Sequence, residues 1–242
     1  MEKVPPPTDE GRKARSDGVQ SRERLLLSAM RLFAEQGFAN TSTRQIALAA
    51  GTNVASISYY FGDKAGLYRA AFNEPGVHAR EEIPTFTDPA RSLREALRAF
   101  YAQLLGPLKQ GDMARLCMRL WYREMLEPTG LWDAEINNDI KPAHAGLVLV
   151  LGRHLDMEGR EDDDLARLAF GVVGLALHLM VGRDVIEQIS PQLLASDHAI
   201  DTWMERMVDY AEAMVDAERA RRRALTQAPA PTPTPPSKKR KA

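Results

Sequence analysis

Between residues 43 and 64 the chain reads TRQIALAAGTNVASISYYFGDK, and the residue types there suit contact with a polyanion better than bond-making chemistry. Arg44 and Lys64 are cations that can neutralise phosphate. Ser56, Tyr59 and Tyr60 carry hydroxyls that can reach phosphates or base edges. Val54 and Ala55 are small enough for close backbone approach and can touch a thymine methyl. Thr43 can cap open backbone N–H groups at a helix start.

Two short helices must position these groups. Ile46, Ala47 and Ala50 recur at helical spacing behind Thr43, and Gly51 takes the turn. Ile57 and Phe61, four residues apart, share the buried face of the second helix. Such a pair is a helix-turn-helix over about residues 42–61, whose second helix can enter the major groove of DNA. Lys64 opens the next helix, where free N–H groups also suit phosphate. Spacing alone is equally compatible with a plain helical hairpin whose tyrosines are packing residues.

Helical spacing continues almost throughout. A first helix is expected over about 21–36, with Leu25, Leu26, Ala29, Met30 and Phe33 as its apolar stripe and Gly37 as its stop. A fourth runs from about 63 past 72, with Leu67, Tyr68, Ala71 and Phe72 inward. Pro75, Gly76 and Pro84 mark a joint. Further helices are expected over about 89–108, opened by Asp88-Pro89, and over about 113–126. Residues 131–155 are helical but kinked or divided at Pro142, one long helix spans about 162–189, and a last one runs from Asp197 to about 223. The fold class is therefore all-α, with roughly nine helices. An N-terminal unit (19–79), expected to be a three-helix DNA-binding domain if the helix-turn-helix reading holds, precedes a larger C-terminal helical domain (88–223). Residues 1–18 and 226–242 are Pro-rich and charged, and are expected to be a disordered arm and a disordered basic tail.

The net charge of -1 conceals an asymmetry. Residues 1–80 hold 11 Lys/Arg against 8 Asp/Glu, and Lys238, Lys239, Arg240 and Lys241 add four positive charges, so residues 81–237 carry a surplus of acids. A basic front on an acidic body orients a molecule on nucleic acid. The tail resembles a nuclear import signal, but reads here as a solvated end or a phosphate-binding extension. Cys117 is the only cysteine, which fits a reducing compartment. No signal peptide opens the chain, and the apolar run 168–182 falls short of a membrane span, so a cytoplasmic protein is expected.

Several of these spacings agree at once with one known pattern. Phe33 with Gly37, Thr41 or Thr43 leading into Ile46-Ala47 and Ala50-Gly51, and Tyr59-Tyr60-Phe61 with Lys64 and Leu67 resemble the DNA-binding domain of the TetR family of bacterial transcription regulators. The resemblance covers about residues 19–79. It implies DNA contacts from Thr43, Arg44, Val54, Ala55, Ser56, Tyr59, Tyr60 and Lys64. Ala55 stands where many members have Gly, and Ser58 where many have Tyr. Residues 53–64, Gly66-Leu67-Tyr68, and Arg123-Glu124-Met125 with Pro128-Thr129 are similar to the CecR-like subgroup.

That resemblance implies a homodimer, a palindromic DNA operator and a small-molecule effector held in the second domain, together a ligand-responsive repressor. Residues 168–181 (LAFGVVGLALHLMV) are apolar nearly all round and need cover on two sides; Gly171, Gly174 and Ala176 allow close approach of a partner helix. Trp121, Tyr122, Arg123, Glu124 and Met125, joined by His144 and His178, are the residues expected at an effector pocket. Against an enzyme, His78, His144, His154, His178 and His198 lack metal-ligand spacing, and no phosphate loop or nucleophile motif is present, so no cofactor is expected. A helical adaptor, or an activator without a ligand, is the competing class.

Overall fold

The computed structural model describes residues 9–73, 79–157, 159–160 and 162–227; every regular element among them is helical. His78 and the basic tail lie outside the described residues.

The front domain is built by α1 (Asp9–Asn40), α2 (Thr43–Ala49), α3 (Val54–Phe61) and α4 (Lys64–Asn73). α1 starts inside the stretch expected to be a disordered arm. Gly37 ends the first helical run of α1, as expected: at φ 82 and ψ 166 it occupies a region essentially reserved for glycine, and a short helical turn to Asn40 follows the kink. The cap of α2 is Ser42, not Thr43. Gln45 N–H donates to Ser42 Oγ while Ser42 N–H donates to Gln45 Oε1 at 2.8 Å, a reciprocal capping box. Thr41 is buried and donates its hydroxyl to the Gly37 carbonyl at 2.8 Å. Asn53 caps α3 by accepting from Ala55 N–H at 2.9 Å, and Asp63 accepts from Gly66 N–H at 2.7 Å at the start of α4. Leu25, Met30, Phe33, Ile46, Ile57 and Leu67 form the shared core.

The second domain begins with α5 (Ala79–Thr87), which runs through Pro84 instead of ending there; the burial of Phe86 against Phe100 holds its last turn. α6 (Leu93–Leu105) starts later than Pro89, because Asp88 closes a turn onto Ala90 N–H and Ser92 with Glu95 forms the cap. A 3₁₀ turn, Gly106–Lys109, follows. Then come α7 (Asp112–Leu126), α8 (Trp132–Glu135), a π-helical turn Ile136–Ile140, and α9 (Lys141–His154). Pro142 sits in the first turn of α9, just past that widened turn, so the division expected at Pro142 falls slightly before it. The helix expected over 162–189 is two: α10 (Asp163–Val181) and α11 (Arg183–Ile189), separated at Gly182. α12 (Asp197–Gln227) closes the fold.

The larger core gathers Tyr101, Leu147, Leu151, Val172, Ala176 and Val208 from α6, α9, α10 and α12. Tyr101 donates its hydroxyl to the Val172 carbonyl at 2.9 Å. An ionic seam runs along α6 and α12: Arg98 grips Glu205 with two bonds at 2.6 and 2.8 Å, and Arg94 bonds Asp209 at 2.8 Å and also Glu212. Among the described residues α10 alone is long and apolar enough to cross a membrane, at 19 residues and a mean hydropathy of 1.6. Here it packs into the core through Leu165, Leu168, Val172, Ala176 and Leu179.

Candidate nucleic-acid interface and cavity

α3 stands on the front domain with Ile57 buried beneath it and its small and polar residues outward. Tyr59 is 82% exposed and Val54 41% exposed; Arg44, Ala55 and Ser58 are also exposed, while Thr43 and Ser56 are partly so. Val54 faces outward because it is the first residue of α3, beyond the contact made by Ile57. Tyr60 is half-buried. Its ring meets those of Tyr59 and Phe61 edge-on, and its hydroxyl lies beside α1, where a Cβ on Gly18 would sit 3.3 Å away. Lys64 Nζ lies 4.3 Å from the centre of the Phe38 ring, and the Arg22 guanidinium lies 5.0 Å from that of Phe61. The eight residues expected to touch DNA thus occupy α2, α3 and the start of α4, with Tyr60 and Lys64 held more firmly than the rest.

Behind this face, α7 joins the two domains. Glu124 is completely buried and accepts hydrogen bonds from Tyr68 Oη at 2.7 Å, Thr129 N–H at 2.8 Å and Leu131 N–H at 3.1 Å. Burial and the bond to this carboxylate push the Tyr68 phenol well above its ordinary range. Arg123 donates to the carbonyls of Ala34 at 3.2 Å and Glu35 at 3.0 Å in the last turns of α1. Leu120 from α7 is buried in the front-domain core.

A cavity of about 390 Å³ opens on the other side of α7. Of the residues expected at an effector pocket, Trp121 and Tyr122 line this cavity and Arg123, Glu124, Met125, His144 and His178 do not. Arg123 and Glu124 stand at the domain joint, where both find their partners. His144 is stacked on Phe170 at 4.3 Å between ring centres, and His178 is exposed. The lining instead draws Phe72 and Asn73 from α4, Leu104 from α6, Met118 from α7, Asp139 from the π turn and Leu177 from α10. Sequence spacing carried no signal for this set, since five separate segments converge. Cys117 also lines the cavity, and burial pushes its thiol up, away from the reactive thiolate.

α10 also leaves one apolar face uncovered. Phe170 is 64% exposed, and Gly174, Leu177 and Val181 follow it at helical spacing, all exposed; Tyr210 on α12 is exposed too.

Known proteins match both halves. The sequence pattern of the bacterial regulatory proteins of the tetR family matches residues 25–71, and that of the "HTH-type transcriptional dual regulator CecR, C-terminal domain" matches residues 93–217. The HTH-type transcriptional dual regulator CecR of Shigella flexneri is 28% identical over 180 residues, covering 70% of this chain and 79% of that protein. Among solved structures, the SmeT–triclosan complex superposes with a TM-score of 0.54 at 20% identity, covering 82% of this chain and 90% of that one. A transcriptional regulator from Saccharomonospora viridis in complex with choline superposes with a TM-score of 0.55 at 20% identity, covering 80% of this chain and 96% of that one. With a tetR-type helix-turn-helix in front and a CecR-type domain matched over half its length, the chain belongs to the TetR family of DNA-binding transcription regulators and is not an enzyme.

Proposed function

We propose that the protein acts in the cytoplasm as a homodimeric repressor that holds a palindromic operator and is released by a small-molecule effector. The observation that carries this reading is the outward face of α3, where Val54, Ala55, Ser56 and Tyr59 stand free above the buried Ile57. In this reading residues 19–79 are the reading head, with Thr43, Arg44, Tyr60 and Lys64 completing the contacts, and residues 88–223 carry dimer and effector. The bare stripe from Phe170 to Val181 supports α10 and α12 as the seam between two copies. Two reading helices would then lie about 34–36 Å apart, or a multiple of that turn, which is what a palindrome demands. The cavity supports an effector, because it reaches both α4 and α7, the helices that join the head to the body. An occupant must bind the released state better than the operator-bound one, or it shifts nothing.

The test is a mobility-shift titration against the gene's own upstream region at several salt concentrations. Each lost phosphate contact should reduce the slope of log K on log salt by about 0.9, so Arg44→Ala should flatten it by about one unit. Binding that ignores both salt and Arg44→Ala would return the front helices to the role of a protein adaptor.

A further inference from the structure

The cavity is one-sided in charge. Its lining includes the carboxylates of Glu135 and Asp139 and no Lys, Arg or His. None of the ion pairs among the described residues engages Asp139. The π-helical turn explains their placement. Its i→i+5 bonding widens the helix, so Glu135, Asp139 and Ile140 come to one side and all three reach the cavity. Glu135 also holds the Trp121 indole N–H at 2.7 Å, and Trp121 is braced edge-on by Trp132 at 4.7 Å and Tyr122 at 5.2 Å. This fixes an electron-rich ring in the wall beside the two carboxylates.

We propose that the occupant is an amphipathic organic cation, its apolar body against Met118, Leu177 and Met180 and its charged head between Trp121, Glu135 and Asp139. A cation is attracted both by the ring face and by the carboxylates, whereas an anion would enter a site with no basic side chain to receive it. The remaining wall is apolar and flexible, and tolerates more than one body shape. The proposal rests on the cavity being the effector site, and adds the charge of what enters it.

The experiment compares two probes of nearly equal shape, methyltriphenylphosphonium and neutral triphenylphosphine oxide, by tryptophan-fluorescence titration of the full chain. The cation should bind about tenfold or more tightly, a difference of about 1.4 kcal/mol. Asp139→Asn combined with Glu135→Gln, which keeps an acceptor for the Trp121 indole, should bring the two affinities within about twofold. Equal binding of both probes to the parent overturns the cation assignment and leaves the cavity as a ligand site. A cation preference that survives the double substitution overturns the assignment to these carboxylates. Binding of neither probe overturns the proposal together with the effector reading, while operator affinity without ligand separately judges the DNA-binding head.

Discussion

The phenol of Tyr68 on α4 donates to the carboxylate of Glu124 on α7 at 2.7 Å, and both side chains are buried. This bond crosses from the reading head to the body. Its partners are not equivalent, because Glu124 also accepts from the backbone N–H groups of Thr129 and Leu131 whereas the Tyr68 hydroxyl donates to Glu124 alone.

Glu124→Ala should therefore destabilise the fold by about 3 kcal/mol, since it strands several buried donors at once. Tyr68→Phe should cost only about 1 kcal/mol, because the carboxylate keeps its backbone donors. Urea denaturation of the two variants measures this. A Tyr68→Phe loss as large as that of Glu124→Ala would show that the phenol, not the carboxylate, organises the joint.

Gly37 sits at φ 82, and a Cβ there would come within 2.9 Å of Arg123 Nη1. Gly37→Ala should cost about 1–3 kcal/mol through backbone strain, and it should also push Arg123 off the end of α1. Gly106→Ala is the control: φ is -49 there and a Cβ meets nothing within 4 Å, so it should be neutral or slightly stabilising. Equal melting temperatures for the two variants would remove Gly37 from the joint.

Phe170 heads the bare stripe on α10. Phe170→Glu places a charge in the proposed seam and should give a monomer in sedimentation velocity at micromolar protein, with operator affinity falling sharply. Leu126→Glu, at the exposed end of α7, should remain a dimer. A Phe170→Glu protein that sediments like its parent would move the seam elsewhere.

His154 carries a pH dependence. Burial first, then the neighbouring charges of Arg153 and Arg219, lower its pKa below the ordinary 6.5. Its Nε2 is buried without a hydrogen-bond partner. The folded state thus prefers the neutral ring. That contribution is complete above about pH 6.5, the unfolded value, and is lost as pH falls toward the lower folded value. His154→Gln should flatten the decline in urea midpoint between about pH 6.5 and 5. Parallel declines in parent and variant would exclude His154 as the source.

The reading head was legible because its evidence is local. Ile46, Ala50, Ile57 and Phe61 fall at helical spacing, and the outward residues follow once the inward ones are known. The cap was misplaced by one residue: Ser42 and Gln45 spell a capping box, but Thr43 stands beside them with similar chemistry. The body was harder. Gly182 separates α10 from α11 within an unbroken apolar pattern, and nothing in spacing distinguishes that break from the helical glycines at 171 and 174. Arg123 and Glu124 next to Trp121 and Tyr122 looked like a pocket, yet their partners lie on α1 and α4, far away in sequence. Helix periodicity says which side of a helix is buried, not which neighbour covers it.

α7 has almost no unoccupied surface. Between Ala114 and Glu124 only Arg115 and Arg119 are exposed; Ala114, Cys117, Met118 and Trp121 look into the cavity, while Leu120, Arg123 and Glu124 hold the head. The helix therefore has little room for sequence drift. A substitution that reshapes the cavity from α7 also shifts the residues that seat the reading head, so a new ligand preference acquired there would disturb operator affinity. Variation that leaves the head and the proposed seam undisturbed falls on the opposite walls, as at Gln103 and Leu104 on α6, Asp139 on the π turn and Val173 on α10. Relatives with different inducers but similar operators should differ at those four positions before they differ along α7.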